Sequence, residues 1–389
     1  MYKRILSLDL AGSHSCFLWG PRQTGKSTLL AQLFPAATVY DLLQADVYRR
    51  LVANPSLLRE ECLAQGLTGA NQKHPVIIDE VQKIPELLDE VHWLIERRGI
   101  RFILCGSSAR KLRRGHANLL GGRAVRYELG PLVAREIPGF SLQRALNHGL
   151  LPSHYDSDHP QRLLQSYIGD YLREEIVAEA ATRNLGAFSR FLEVAALSNG
   201  GTINATNIAR ECGVSAPTVR SYFDILEATL IGRFLPAFGR SGRRRLIESP
   251  RFYFFDVGIA GALCHRGEIS PGSELFGRAF EHFIYLELTA YCNYNTSSTP
   301  LSYWRTASGL EVDFILGEGQ IALEAKATPR VHAGHLGGLR AFQEEHHPSR
   351  SIVVSLDPRA RILNEGIEVL PWKAFLNQLW SGQLLRGTG

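Results

Sequence analysis

Gly20-Pro21-Arg22-Gln23-Thr24-Gly25-Lys26-Ser27, followed by Thr28, is the stretch that decides the fold of the first third of this chain. Its glycine spacing and closing Lys-Ser pair make a phosphate-binding loop of the Walker A pattern. The apolar run from Cys16 to Gly20 precedes it, and a helix-forming run, Ser27–Leu33, follows it. Backbone N–H groups of such a loop, together with the positive end of the helix behind it, converge on one point and favour a phosphate. Gly20 to Thr28 are therefore the expected ATP-binding residues. Lys26 should reach the β- and γ-phosphates, and Ser27 should ligate Mg²⁺.

Working outward, Val76-Ile77-Ile78-Asp79-Glu80 is an apolar strand ending in two carboxylates. In a parallel sheet, ligands bind at the C-terminal strand ends. Asp79 is expected at the magnesium, directly or through water, and Glu80 at the attacking water. The run Arg101–Cys105 ends in Gly106-Ser107-Ser108. Ser107 is either a contact to the γ-phosphate or water, or part of a plain Gly-Ser turn. With Ala37–Asp41 and Ala124–Glu128, five short β-rich runs alternate with helical stretches. The expected fold class is α/β, a parallel sheet with helices on both faces.

A chain of 389 residues is too long for one ordinary domain. The expected division is an ATPase domain over 1–147, a linker over 148–160, a mostly helical domain over 161–268 and an α/β domain over 269–389. The linker reading rests on Gly149, Pro152, Ser153, Asp156, Ser157, Asp158 and Pro160. The hydrophobic fraction of 45% and charged fraction of 21% are those of a globular protein, and a net charge of +5 excludes a histone-like one. The six cysteines form no CxxC pair, which argues against a zinc site or a disulfide framework. No apolar run approaches the length of a membrane span, and the N-terminus lacks a signal-peptide core. A cytoplasmic protein without membrane contact is expected.

Residues Thr202–Leu226 carry helix-turn-helix spacing. Ala209 is small where two helices cross, Gly213 supplies the turn, Ser215 caps the second helix and Val219 packs it back. Two β-like runs, Ile231–Phe238 and Arg251–Phe255, flank the basic segment Gly239-Arg240-Ser-Gly-Arg243-Arg244-Arg245, giving the outline of a winged helix. Thr218 and Arg220 on the second helix, and Arg243, Arg244 and Arg245 on the wing, are the candidate DNA contacts. A winged helix used for protein contacts is the even-handed alternative.

Towards the C-terminus, Leu310–Leu316 and Ile321–Lys326 read as a hairpin about a Gly317–Gln320 turn. Symmetric closure sets Asp313 opposite Glu324 and Glu311 opposite Lys326. Alternation then puts Asp313, Glu324 and Lys326 on one polar face and leaves the other as a core surface.

Two resemblances follow from these motifs. Gly20–Ser27, Ile78-Asp79-Glu80, Cys105–Ser108 and Leu120-Gly-Gly-Arg123 ahead of Tyr127–Leu132 resemble the AAA+ ATPases, in particular prokaryotic P-loop ATPases with a C-terminal domain of unknown function. That resemblance spans nearly the whole chain. It implies an Mg²⁺-dependent ATP hydrolase, a possible homo-oligomer, and Arg123 as arginine finger, with Arg113 and Arg114 as rivals. The hairpin resembles the PD-(D/E)XK nuclease fold. That likeness implies a metal site of Asp313, Glu324 and Lys326, with Glu281 from the preceding helix and Glu287 as its rival. The leading proline of that motif is replaced by Val312. Together they imply an ATPase coupled to a DNA-binding, possibly nucleolytic region; the alternative is a nucleotide-dependent DNA- or protein-binding switch whose nuclease-like domain is inert.

Overall fold

The structure, a computed structural model, describes residues 2–108, 120–172, 184–239, 244–295 and 299–385. It divides into two compact units: Met1–Pro131 with Ala228–Ile231, and Leu132–Glu227 with Gly232–Gly389.

The first unit is a five-stranded parallel sheet. Its strands are β1 (Ser15–Trp19), β2 (Val39–Asp41), β3 (Val76–Asp79), β4 (Phe102–Gly106) and β5 (Ala124–Glu128), in the order β2-β3-β4-β1-β5. All five strands fall where the apolar runs put them. Every residue of β1, β3 and β4 is buried, as central strands covered on both faces require. The covering helices are α1 (Lys26–Leu33), α2 (Ala45–Ala53), α3 (Leu57–Ala64) and α4 (Leu87–Arg98). Helix α4 buries Leu87, Leu88, Val91 and Leu94, a stripe at helical spacing, and stops at Gly99 in the left-handed conformation. Phe17, Trp19, Ile78, Leu88, Val91 and Leu104 share one core. Because β4 is inserted between β1 and β3, its C-terminal end lies between the phosphate loop and the carboxylates of β3.

The second unit opens with three short helices, α5 (Leu142–His148), α6 (Pro152–Tyr155) and α7 (Pro160–Ser166). The segment expected as a linker is thus part of the fold. Leu150, Leu151, His154 and Tyr155 are buried, and Gly149 has no side chain because a Cβ there would collide with Asp256. Asp256 itself is fully buried and accepts from the N–H groups of Leu150, Gly258 and Ile259. The polar residues that suggested a linker are turn and capping residues between packed helices. The unit boundary falls earlier, at Pro131, rather than at residue 147.

Next come α8 (Leu185–Leu197), α9 (Ala205–Cys212) and α10 (Ala216–Ala228), then β6 (Gly232–Leu235) paired antiparallel with β7 (Arg251–Phe254). Phe188, Phe191, Tyr222, Phe223, Phe234 and Phe252 pack ring against ring beneath them. After α11 (Val257–Leu263), the long α12 (Glu274–Tyr294) leads into a six-stranded mixed sheet: β8 (Leu301–Arg305), β9 (Glu311–Leu316), β10 (Ile321–Lys326), β11 (Arg350–Ser355), β12 (Arg361–Ile362) and β13 (Glu368–Pro371), in the order β12-β13-β11-β10-β9-β8. Helices α13 (Gly337–His346) and α14 (Trp372–Trp380) complete it. Among the described residues no helix is long and apolar enough to cross a membrane.

Candidate functional site

The loop Gly20–Gly25 joins β1 to α1. Gly25 caps α1 in the left-handed region, at φ 89°, where an L side chain is strained. A Cβ on Gly20 would collide with the carbonyl oxygen of Leu129, so that glycine is fixed by the neighbouring strand end. Thr24 closes the loop internally, its hydroxyl donating to Pro21 O at 2.9 Å. Lys26 is buried and its ammonium donates to Gly20 O at 2.8 Å and Pro21 O at 3.0 Å, folded over the concavity that a phosphate would take.

Ser27 Oγ donates to Asp79 Oδ2 at 2.6 Å. A hydroxyl and a carboxylate oxygen in contact are the hard donors that Mg²⁺ prefers, so these two residues fit the ion expected there. Asp79 Oδ1 accepts from Glu80 N at 3.0 Å. Glu80 sits at φ 58°, a left-handed conformation that is uncommon for a side-chain-bearing residue and that turns its carboxylate back from the strand direction. Gln82 Nε2 holds that carboxylate and also donates to Ser107 Oγ at 3.1 Å. Glu80, Gln82 and Ser107 are all buried. Gly106 makes room for the Gln82 amide, since a Cβ there would overlap its oxygen.

Two residues of this site carried no sequence signal. Gln82 follows Glu80 by two positions, outside the motif. Arg4, near the N-terminus, donates from Nη1 to Thr24 O at 2.5 Å and from Nη2 to Gly130 O at 2.9 Å and Pro131 O at 2.8 Å. It ties the phosphate loop to the chain after β5. Arg123 lies just before β5, about two-fifths exposed, and pairs with Glu96 of α4. Its rivals Arg113 and Arg114 lie outside the described residues.

In the second unit, the pairs Leu316–Ile321, Ile315–Ala322 and Phe314–Leu323 give the expected hairpin register, which carries Asp313 opposite Glu324. Ala325 N donates to Asp313 Oδ2 at 2.9 Å across it. Lys326 Nζ lies 2.5 Å from Glu324 Oε2 and 3.6 Å from Asp313 Oδ2. Glu281 of α12 joins this group, and Glu287 does not: Glu287 is buried elsewhere, accepting from Ala134 N at 2.6 Å and Trp380 Nε1 at 2.7 Å. The expectation of an outward polar face is overturned. Asp313 and Glu324 are buried, as are Ile315 and Ala322 on the same strand face. Helix α13 covers them, and a Cβ on Gly338 would collide with Glu311 O.

The cluster also contains a cation that the sequence reading missed. Arg251 of β7 is buried, 3.3 Å from Glu281, 3.0 Å from Glu311 and 3.8 Å from Asp313, with its guanidinium over the Tyr303 ring. Tyr253 donates to Glu281 Oε1 at 2.5 Å. Burial and the Asp313 charge push the Glu281 carboxyl up to about 7, and burial likewise raises Glu324 well above its ordinary value. Asp313 stays below its ordinary value although burial opposes it, because Lys326 and Arg251 hold it ionised. Among the described residues no three His, Cys, Asp or Glu side chains are grouped to hold a metal. The carboxylates point at Arg251 and Lys326, so as arranged they do not fit a metal site.

In the helix-turn-helix segment, Gly213 ends α9 at φ 67° and Ser215 Oγ accepts from Thr218 N at 3.2 Å. Ala209 and Val219 are buried, and Arg220 is exposed. Thr218 Oγ1 is 2.8 Å from Ser215 Oγ, within the cap. Arg244 is not a free wing residue. Its guanidinium binds Glu344 at 2.7 Å, Glu345 at 2.5 Å and Ala341 O at 3.1 Å, at the C-terminal end of α13 where a cation is favoured. The chain after it runs beside β8, with Ala307 N donating to Arg245 O and Ile247 N to Arg305 O. Arg245 is exposed; Arg240 and Arg243 lie outside the described residues.

Comparison with known proteins places a family match over the first of these regions. Residues 13–138 match the family described as AAA domain. That match falls on the unit that holds the phosphate loop and the parallel sheet. Residues 139–270 and 276–375 match two families that are each described as a domain of unknown function, DUF8612 and DUF4143. No curated protein matches the chain. Solved structures similar to it include the Walker-type ATPase of Pyrococcus abyssi, 13% identical over 64% of this chain and 90% of that one with a TM-score of 0.41. The ORC2 protein of Aeropyrum pernix in its ADP form is 14% identical over 58% and 82%, with a TM-score of 0.26.

Proposed function

We propose that the chain hydrolyses ATP with Mg²⁺. The observation that carries this is the Ser27–Asp79 contact at 2.6 Å, which brings the end of the phosphate loop and the end of β3 onto one point. Lys26 turns from the loop carbonyls to the β- and γ-phosphates. Ser27 and Asp79 hold Mg²⁺, which when bound neutralises charge on the phosphate oxygens. Glu80, held by Gln82, accepts a proton from the attacking water, and Ser107 orients that water or the γ-phosphate. The test is a pair of variants. Lys26→Ala should lose most nucleotide binding, whereas Glu80→Gln should bind ATP and turn it over at least about a hundredfold more slowly. Wild-type turnover by Glu80→Gln would remove the base from this scheme.

For the rest of the chain the better-supported reading is a nucleotide-dependent switch in the cytoplasm that binds DNA or protein through the helix-turn-helix region, with an inert nuclease-like domain. Arg251, buried among Glu281, Glu311 and Asp313, favours it, because a guanidinium occupies the space where shared carboxylates would otherwise recruit a cation. Purified protein should cleave neither DNA nor RNA with Mg²⁺ or Mn²⁺, with or without ATP. Cleavage that Asp313→Asn abolishes would restore the nuclease reading.

A further inference from the structure

The second unit has a cleft of about 480 Å³ unrelated to either site above. That size is within the range of small-ligand pockets. Its walls come from helix α14 and from the chain before α5. On α14, Trp372, Leu376 and Trp380 recur at four-residue spacing as an apolar stripe, while Lys373 and Asn377, with Ser381 just past the helix end, form a polar stripe beside it. Phe140 and Arg135 line the opposite wall.

These walls are held from behind. Trp380 donates its indole N–H to the buried Glu287 carboxylate, and its carbonyl accepts from Arg135 Nη1 at 2.7 Å. Its ring packs on Tyr291 and Tyr294. Phe140 is stacked between Tyr155 and Phe283, with Trp372 at its edge. Lys373 places its ammonium 5.4 Å from the Trp372 ring centre. Among the described residues no acidic side chain lines the cleft.

We infer that this cleft binds one nucleotide unit of a single-stranded nucleic acid. Three features select that chemistry together. Trp372, half-buried and set edge-on to Phe140, offers a fixed ring on which a flat base can stack. Arg135 and Lys373, without a carboxylate among the lining residues, complement a phosphate. Asn377 offers a donor and an acceptor to a base edge. An acidic peptide would satisfy the charge but would leave the ring faces unmatched. The inference is independent of ATP hydrolysis and of the helix-turn-helix surface.

The test uses the full chain saturated with Mg²⁺-ADP, so that the phosphate loop is filled, titrated with a short fluorescein-labelled oligothymidylate. Lys373→Glu and Trp372→Ala should each weaken binding by about tenfold while ATPase activity stays unchanged. Lys373 is exposed, so its variant folds even if Trp372→Ala does not. Equal affinity of wild type and Lys373→Glu, no binding by wild type, or displacement by an acidic tyrosine-containing peptide ahead of unlabelled oligothymidylate would each overturn the inference.

Discussion

Arg4 acts entirely through main-chain carbonyls. Its guanidinium bridges Thr24 O in the phosphate loop and Gly130 O and Pro131 O after β5. No motif announces such a residue, because its partners are backbone atoms that any sequence supplies. The loop from Gly20 to Thr28 was legible for the opposite reason: a phosphate cradle demands Gly20, Gly25, Lys26 and Ser27 at that spacing. Hydrogen bonds from a charged donor contribute about 1.5–3 kcal/mol. Arg4→Met should therefore loosen the loop and weaken ADP affinity by about tenfold, with Arg4→Lys recovering part of it. Titration with a fluorescent nucleotide checks this. If affinity holds while only the melting temperature falls, Arg4 supports the unit and does not position the loop. Glu80 shows a second limit of the sequence: its identity was evident, but its left-handed backbone and its Gln82 partner depend on Gly106 of β4 leaving space.

At the scale of elements, what was legible follows the range of the interactions that set it. The five parallel strands and the β9–β10 register depend on local apolar runs and one short turn. The closing of the hairpin brought Asp313, Glu324 and Lys326 together as expected, and Glu281 over Glu287 is a matter of helix face. What covers that hairpin depends on α13, and what neutralises it depends on β7, both distant in sequence. Arg251 therefore could not be foreseen, and neither could the capture of Arg244 by α13. Removing one partner of a buried ionic group is costly, about 3–5 kcal/mol. Arg251→Gln should lower unfolding stability by that order in urea titrations, and a loss below about 1 kcal/mol would mean that the cluster is solvated. Glu287 makes a separate prediction about pH. Burial raises its carboxyl from the ordinary value of 4.5 to about 7. The folded state then holds a proton that the unfolded chain has already released, so stability declines as pH rises from about 4.5 to 7, by about 3 kcal/mol for a shift of that size. Glu287→Leu leaves Ala134 N and Trp380 Nε1 unpaired and is less stable at every pH, but its stability should fall less steeply across that window. An identical slope in both proteins would assign the dependence to Glu281 and its neighbours.

At the scale of the whole molecule the question is whether one chain suffices for hydrolysis. Within the first unit the phosphate loop, Asp79, Glu80, Gln82 and Ser107 converge, yet Arg123 is exposed and its guanidinium pairs with Glu96 of the same chain. Exposed pairs of this kind contribute about 0–1 kcal/mol, so the Glu96 contact is a weak hold that a stronger anion can replace. A γ-phosphate bound to a second copy of the chain is such an anion, and an arginine supplied there typically accelerates turnover by about 10³–10⁵. The proposal of a homo-oligomer with Arg123 acting across its interface then makes a demand that a monomer cannot meet. Arg123→Ala and Lys26→Ala should each be inactive alone. In a mixture, some interfaces combine an intact phosphate loop from the Arg123→Ala chain with an intact arginine from the Lys26→Ala chain, and ATPase activity should reappear. Glu96→Gln, by freeing Arg123 from its local partner, should leave turnover intact or raise it. A fully active monomer, or a mixture as silent as its parts while wild type assembles, would confine Arg123 to its surface pair with Glu96 and direct the search for the finger to Arg113 and Arg114.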